Sequence, residues 1–217
     1  MVDYGSEKEG FAALLLRLRA LGVDDTRLLT AFENVPRSVF LNPELRHLAY
    51  SSKMLPIECG GFCESIDVTV RLFGQLDIQP HHKALDLGCG SGYAAAVLSK
   101  LCDRVLTIDR FKTHVSNAII RFEHIGLTNM VVKQLDGYDG VQGEGTFDRI
   151  YSTASFTEMP RHYVDHLTTE GVMIAPLSMG NGRAKMMRLT KIGSRFERED
   201  LFEIADNPLI LGLAAAL

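Results

Sequence analysis

The sequence has no basic excess, no zinc-type cysteine pairs, no long apolar run and no internal repeat. Lys and Arg number 23 against 27 Asp and Glu, for a net charge of −4. Nothing basic is concentrated enough to neutralise phosphates, which argues against a nucleic-acid partner. No apolar stretch approaches the ~18 residues of a membrane helix, which argues against a membrane span. Cys59, Cys63, Cys89 and Cys102 lack zinc spacing. Cys59 and Cys63 have no second ligand pair nearby, so reduced, packed thiols are expected and no metal site. The stretch Met1 to Glu9 is polar and partly acidic, unlike a signal peptide, so a cytoplasmic protein is expected. What remains is an ordinary globular composition, 46% hydrophobic and 23% charged over 217 residues. That length suffices for one domain with an extension.

The pattern falls into two parts, an extension over 1–80 and a core over 81–217. In the extension, residues 8–21 place Phe11, Leu14, Leu15, Leu18 and Leu21 on one helical face. Asp24 or Asp25 caps a second helix that stops before Pro36, and Pro43 opens a short helical turn toward His47. Tyr50 to Ser65 has no periodicity and reads as a loop, followed by a helix over Ile66–Leu76 capped by Ser65 or Asp67. From Lys83 on, strands are predicted near 83–87, 104–109, 130–134 and 147–152, with helices near 93–101, 111–124 and 158–167. Antiparallel-looking strands follow near 171–177, 184–192 and 196–204. The apolar residues 209–217 are too few to span a membrane and are expected to pack or fray. Alternation of strand and helix predicts a doubly wound, mostly parallel α/β sheet.

The chemistry concentrates where the first core strand ends. Ala84 to Leu87 is an apolar strand carrying Asp86, and Gly88, Gly90 and Gly92 follow at every second position before a helix-forming run. Gly-x-Gly-x-Gly differs from the Gly-x-Gly-x-x-Gly of dinucleotide sites, whose helix N-terminus cradles a pyrophosphate. It resembles the S-adenosylmethionine loop of methyltransferases, which assigns Gly88, Cys89, Gly90, Ser91 and Gly92 to the cofactor. Asp109 ends the next strand about twenty residues beyond Gly88, where an acid accepts hydrogen bonds from ribose hydroxyls. Asp136 and Gly137 follow the third strand and are placed to contact adenine. Arg110 lies either over the adenosine or in solvent. His81-His82 reads as a solvated turn, His114 has no partner visible by spacing, and Met186-Met187 reads as core.

Further motifs carry a more specific resemblance. Val35-Pro36-Arg37 with Phe40, Ala49-Tyr50, Leu55-Pro56-Ile57, Gly90-Ser91-Gly92-Tyr93, Asp136-Gly137-Tyr138 and Phe147-Asp148 with Thr153-Ala154 resemble the protein-L-isoaspartate O-methyltransferases over nearly the whole chain. The resemblance implies a seven-stranded S-adenosylmethionine domain with N-terminal helices that help cover the substrate. It implies methyl transfer to isoaspartyl residues of damaged proteins, initiating their repair. Pro56, Ile57, Gly61 and Phe62 fall in the family's substrate loop, and Glu64 or Ser65 at its functional serine. Here the sequence departs from the family. Aligned without a gap, Gly61, Phe62 and Glu64 replace the family's Gln, Thr and Ser, Ile66 replaces Pro, and Ser52 stands where the family has Asp. A glutamate at the serine position would repel an acceptor carboxylate, predicting weak turnover, unless it caps the following helix. A methyltransferase with another carboxylate or small-molecule acceptor, and a non-catalytic binder of S-adenosylmethionine, are the alternatives. The sequence leaves the oligomeric state open.

Overall fold

The computed structural model describes residues 4–138 and 140–216. Helices α1 (Tyr4–Ala20) and α2 (Thr26–Glu33) come first, and α2 is capped by the Asp25 carboxylate, which accepts from the Leu28 N–H at 2.9 Å. Two short 3-10 helices, Arg37–Phe40 and Pro43–Leu48, lead to a small antiparallel hairpin of β1 (Leu55–Pro56) and β2 (Phe62–Cys63). Helix α3 (Ile66–Leu76) follows, its cap the Ser65 hydroxyl. The core alternates β3 (Lys83–Leu87), α4 (Tyr93–Ser99), β4 (Arg104–Asp109), α5 (Lys112–His124), β5 (Met130–Gln134) and β6 (Phe147–Ser152). Long strands β7 (Leu167–Ser178), β8 (Arg183–Ile192) and β9 (Arg195–Ala205) close the chain as a meander.

One seven-stranded sheet runs in the order β5-β4-β3-β6-β7-β8-β9. Strands β3 to β7 are mutually parallel, and β8 pairs antiparallel with both neighbours. The order reverses at β3, which lies between β4 and β6, so a crevice opens beyond the carboxyl ends of these strands. Successive strand residues alternate between two cores. Val105, Tyr151 and Ile174 face one cluster, while Leu106, Ile150 and Met173 face the other. Both sheet faces are therefore covered, as a parallel sheet requires. Phe11, Leu14 and Leu18 of α1 and Phe32 of α2 join the first cluster, so extension and sheet share one core.

Several sequence expectations shift. The predicted 8–21 helix starts at Tyr4 and ends at Ala20, and Leu21, past its end, is 60% exposed rather than part of the buried face. The loop over 50–65 contains the β1–β2 hairpin. The helix predicted over 158–167 is only a 3-10 turn, Arg161–His166. Pro160 lacks an N–H and disfavours helix in the residue before it, so the turn begins only at Arg161. Strand β7 starts at Leu167, four residues before the predicted one: Leu167 pairs with Phe147 and Val172 with Arg149, so Thr168–Gly171, with Glu170 at a positive φ of 59°, bulges out between them. His82 is buried, its Nδ1 accepting from the Gln79 N–H at 2.9 Å, and is not a solvated turn residue. Met186 and Met187 are fully buried. Residues 209–216 pack across the sheet's carboxyl end, and Leu217 lies outside the described residues. Among the described residues no helix is long and apolar enough to cross a membrane.

Candidate active site

The turn after β3 is built around one carbonyl. The N–H groups of Gly88 and Cys89 both donate to Ile108 O, at 3.0 and 2.8 Å, fastening the turn to the end of β4. Gly92 has φ +87°, and a Cβ there would sit 3.1 Å from the Phe122 ring, so glycine is required on both counts. A Cβ on Gly90 (φ +50°) would meet Ile57 Cδ1 at 3.0 Å, because the 55–63 hairpin folds directly over the turn. The Cys89 thiol is buried in the interior, which pushes its pKa well above the ordinary thiol value. Ser91 Oγ accepts from the Tyr93 N–H and lies 3.7 Å from Cys63 Sγ.

Two acids stand behind the turn. Asp86 is 2% exposed and accepts from Thr107 Oγ1 at 2.6 Å. Burial pushes its pKa up to about 7; the threonine bond pulls it back and the nearby Asp109 charge pushes it further. An acid raised this way binds more protons folded than unfolded between 3.8 and about 7. Its contribution to stability therefore falls as pH rises through that window. Asp86→Asn keeps the threonine bond and removes the titration. Its denaturation midpoint should vary less between about pH 4 and pH 8 than the wild type's, and an unchanged slope would assign the pH dependence elsewhere.

Asp109, 6% exposed, ends β4 and gathers three donors. Oδ2 accepts from the Gly90 N–H at 2.9 Å and faces His114 Nδ1 at 3.0 Å, while Oδ1 accepts from the Phe111 N–H at 2.9 Å. The sequence offered no partner for His114; the structure gives two, Asp109 and Glu58 O at 2.9 Å.

A cavity of about 260 Å³ occupies the crevice. Gly88, Gly90 and Asp109 form its floor; Leu87, Ile108 and Leu135 give it an apolar slot beside Asp136 and Gly137. The hairpin adds Ile57, Gly61 and Phe62, and Phe62 is 49% exposed at the rim. Asp136 and Arg110 line the cavity but hold the chain's last described segment. Asp136 Oδ2 accepts from the Gly212 N–H at 2.5 Å and Oδ1 from the Tyr138 N–H at 2.9 Å. Arg110 Nε donates to Gly212 O at 2.7 Å, with the guanidinium 4.6 Å from the Phe111 ring centre. Asn207 to Ile210 form the opposite wall.

The remaining candidates lie off the cavity. Pro56, Cys89, Ser91 and Gly92 shape its walls from behind and are not among its lining residues. Glu64 and Ser65 are not lining residues either. Ser65 Oγ caps α3, accepting from the Val68 N–H at 3.3 Å, so the cap is Ser65 and not Glu64. Glu64 is half-buried, and burial raises its carboxyl pKa. Phe111, His114, Thr153 and Asn207 line the cavity without having been singled out as site residues. His114 follows a strand-end acid by five residues, a local signal; Asn207 has none, because only the topology brings it there.

These residues fit S-adenosylmethionine. The glycine turn leaves open backbone, since a Cβ on Gly88 would find its nearest atom, Ala154 Cβ, 3.8 Å away. Asp109 Oδ1 carries one bond and keeps lone pairs for ribose hydroxyls. The apolar slot suits a purine. Sheet order, glycine turn and strand-end acid define the protein as a class I methyltransferase in fold.

The protein-L-isoaspartate(D-aspartate) O-methyltransferase family model matches residues 9–210. The protein-L-isoaspartate O-methyltransferase of Rhizobium meliloti (strain 1021) is 43% identical over 204 residues, 94% of this chain and all of that protein. That of Azorhizobium caulinodans is 39% identical over the full length of both chains. A Plasmodium falciparum structure, described as a putative member in complex with S-adenosyl-L-homocysteine, superposes with a TM-score of 0.78 at 22% identity, covering 91% of this chain and 97% of that one. The chain belongs to the protein-L-isoaspartate O-methyltransferase family.

Proposed function

We propose that the protein transfers a methyl group from S-adenosylmethionine to the free carboxylate of isoaspartyl residues in damaged cytoplasmic proteins. The observation that carries this reading is the single cavity framed jointly by the Gly88–Gly92 turn and the Ile57–Phe62 loop. S-adenosylmethionine, when bound, supplies an electrophilic methyl on a sulfonium sulfur. The acceptor carboxylate, with a pKa of about 4, is already ionised at neutral pH and needs no general base. The residues therefore work by placement, which in an aligned pair of reactants is worth ~7–11 kcal/mol. Asp109 and the glycine turn fix one reactant. Ile57, Gly61 and Phe62 enclose the other and exclude water from the crevice. Thr153 lines the same cavity and brings a hydroxyl to its wall.

Glu64 decides how far the altered loop matters. Glu64 is absent from the residues that line the cavity, which supports a loop that keeps its carboxylate away from the acceptor. Glu64→Gln should change kcat/KM for an isoaspartyl peptide by less than about threefold. A rise of about tenfold or more would mean that a like charge faces the substrate. Methyl transfer to an isoaspartyl peptide but not to its aspartyl counterpart tests the main reading. Transfer only to other carboxylates would support a different acceptor, and cofactor binding without any transfer would support a non-catalytic role.

A further inference from the structure

The His114 ring sits between two acceptors. Nδ1 lies 3.0 Å from Asp109 Oδ2 and Nε2 lies 2.9 Å from Glu58 O. A neutral imidazole has one N–H and would turn a bare lone pair toward one of these oxygens; both bonds need both protons. The ring is 4% exposed, and Phe111 packs edge-on at 5.4 Å. We propose that His114, as the imidazolium, is a positioning residue of the methyl-transfer site, clamping the Glu58–Gly60 turn of the acceptor loop to the ribose-binding acid Asp109. This rests on the functional reading above for what the loop encloses, but not for the clamp itself.

Other contacts make the turn a part that can be held or released. Glu58 Oε1 pairs with Arg121 at 3.0 Å and accepts from Asn117 Nδ2 at 3.3 Å, so α5 grips the turn by its side chain while His114 grips it by its backbone. Cys59 at the turn's centre has a positive φ of 55°, a conformation that contacts must maintain. Cys59 and Gly60 both line the cavity, so loosening the turn opens its wall.

The charged groups facing the ring are Asp109 from β4 and Glu58 from the loop, the latter neutralised by Arg121 from α5. Residues 207–216, packed against Phe111, carry no ionisable side chain. Burial alone would lower the histidine pKa, but the hydrogen bond and charge of Asp109, with the Glu58 carbonyl, outweigh it and raise it above 6.5. The clamp is therefore made below that raised value and is lost as pH rises through it.

The test uses S-adenosylhomocysteine titrated calorimetrically into the wild type and His114→Gln, with nitrogen-15 spectra of the histidine side chains. In the wild type at neutral pH both His114 nitrogens should be protonated. Affinity should weaken about tenfold as pH rises past the histidine range, the scale of a lost charge-assisted bond. His114→Gln should be about tenfold weaker at neutral pH and flat with pH. A bare His114 nitrogen at neutral pH, or an identical pH profile in the variant, overturns the clamp. None of these readouts uses an acceptor. Failure of isoaspartyl methylation would therefore count against the proposed substrate alone, and the spectra need no variant to fold.

Discussion

Replacing Asp109 with alanine is expected to abolish tight cofactor binding and to destabilise the fold together. The carboxylate anchors the Gly90 N–H, the Phe111 N–H and the His114 ring, at 2.9, 2.9 and 3.0 Å. Removing one partner of a buried, charged cluster costs about 3–5 kcal/mol, because the others stay buried without an acceptor. Loss of the ribose contact adds ~1–3 kcal/mol to the affinity defect, a weakening of about 5- to 150-fold. Calorimetric titration of S-adenosylhomocysteine and urea denaturation of Asp109→Ala measure the two separately. Unchanged affinity in a folded variant would remove Asp109 from the cofactor site.

An effect of similar size is expected at Arg37, which reaches the end of the glycine turn only through Cys63 and the Tyr93 ring. Its side chain is fully buried, yet the hydrogen bonds it makes go to neutral groups: Ala49 O at 2.9 Å, Glu64 O at 2.5 Å and Cys63 Sγ at 3.3 Å. The guanidinium also lies 5.4 Å from the Tyr93 ring centre. It ties together three stretches of irregular chain that have few backbone bonds of their own, including the β2 end of the acceptor loop. Arg37→Met leaves two carbonyls without donors, a loss of about 3–5 kcal/mol. Arg37→Lys should recover little of it, since one ammonium cannot span acceptors in separate segments as a planar fork does. Denaturant unfolding of both variants measures this. Lysine restoring wild-type stability would show that charge alone, and not the fork, holds the loop.

Arg37 also shows what sequence carries and what it hides. Its place in Val35-Pro36-Arg37 marked it as a family feature, but no local pattern says that an arginine between a proline and a 3-10 turn is fully buried. The cofactor turn was legible because its determinants are contiguous: an apolar strand, glycines that alone tolerate positive φ, and a helix-forming run. The helix expected over 158–167 shrank to the 3-10 turn Arg161–His166 that follows Pro160. The partners of His114 and Arg110 were invisible for a different reason. Glu58 is 56 residues from His114 and Gly212 is 102 from Arg110, so each contact exists only once the sheet is assembled. The Glu64 question has the same form. Ungapped alignment puts it at a functional position, while the capping geometry of Ser65 directs the chain so that the carboxylate stays off the cavity wall.

The contact between Arg110 and Gly212 also sets an order of events during synthesis. The β3–β4 half of the crevice leaves the ribosome first, and its opposite wall follows 102 residues later. At ~5–20 residues per second that interval is on the order of 5–20 s. Until then the apolar slot of Leu87, Ile108 and Leu135 lacks the wall that Asn207 to Ile210 supply. The cavity is therefore complete only once residues 207–210 have been made.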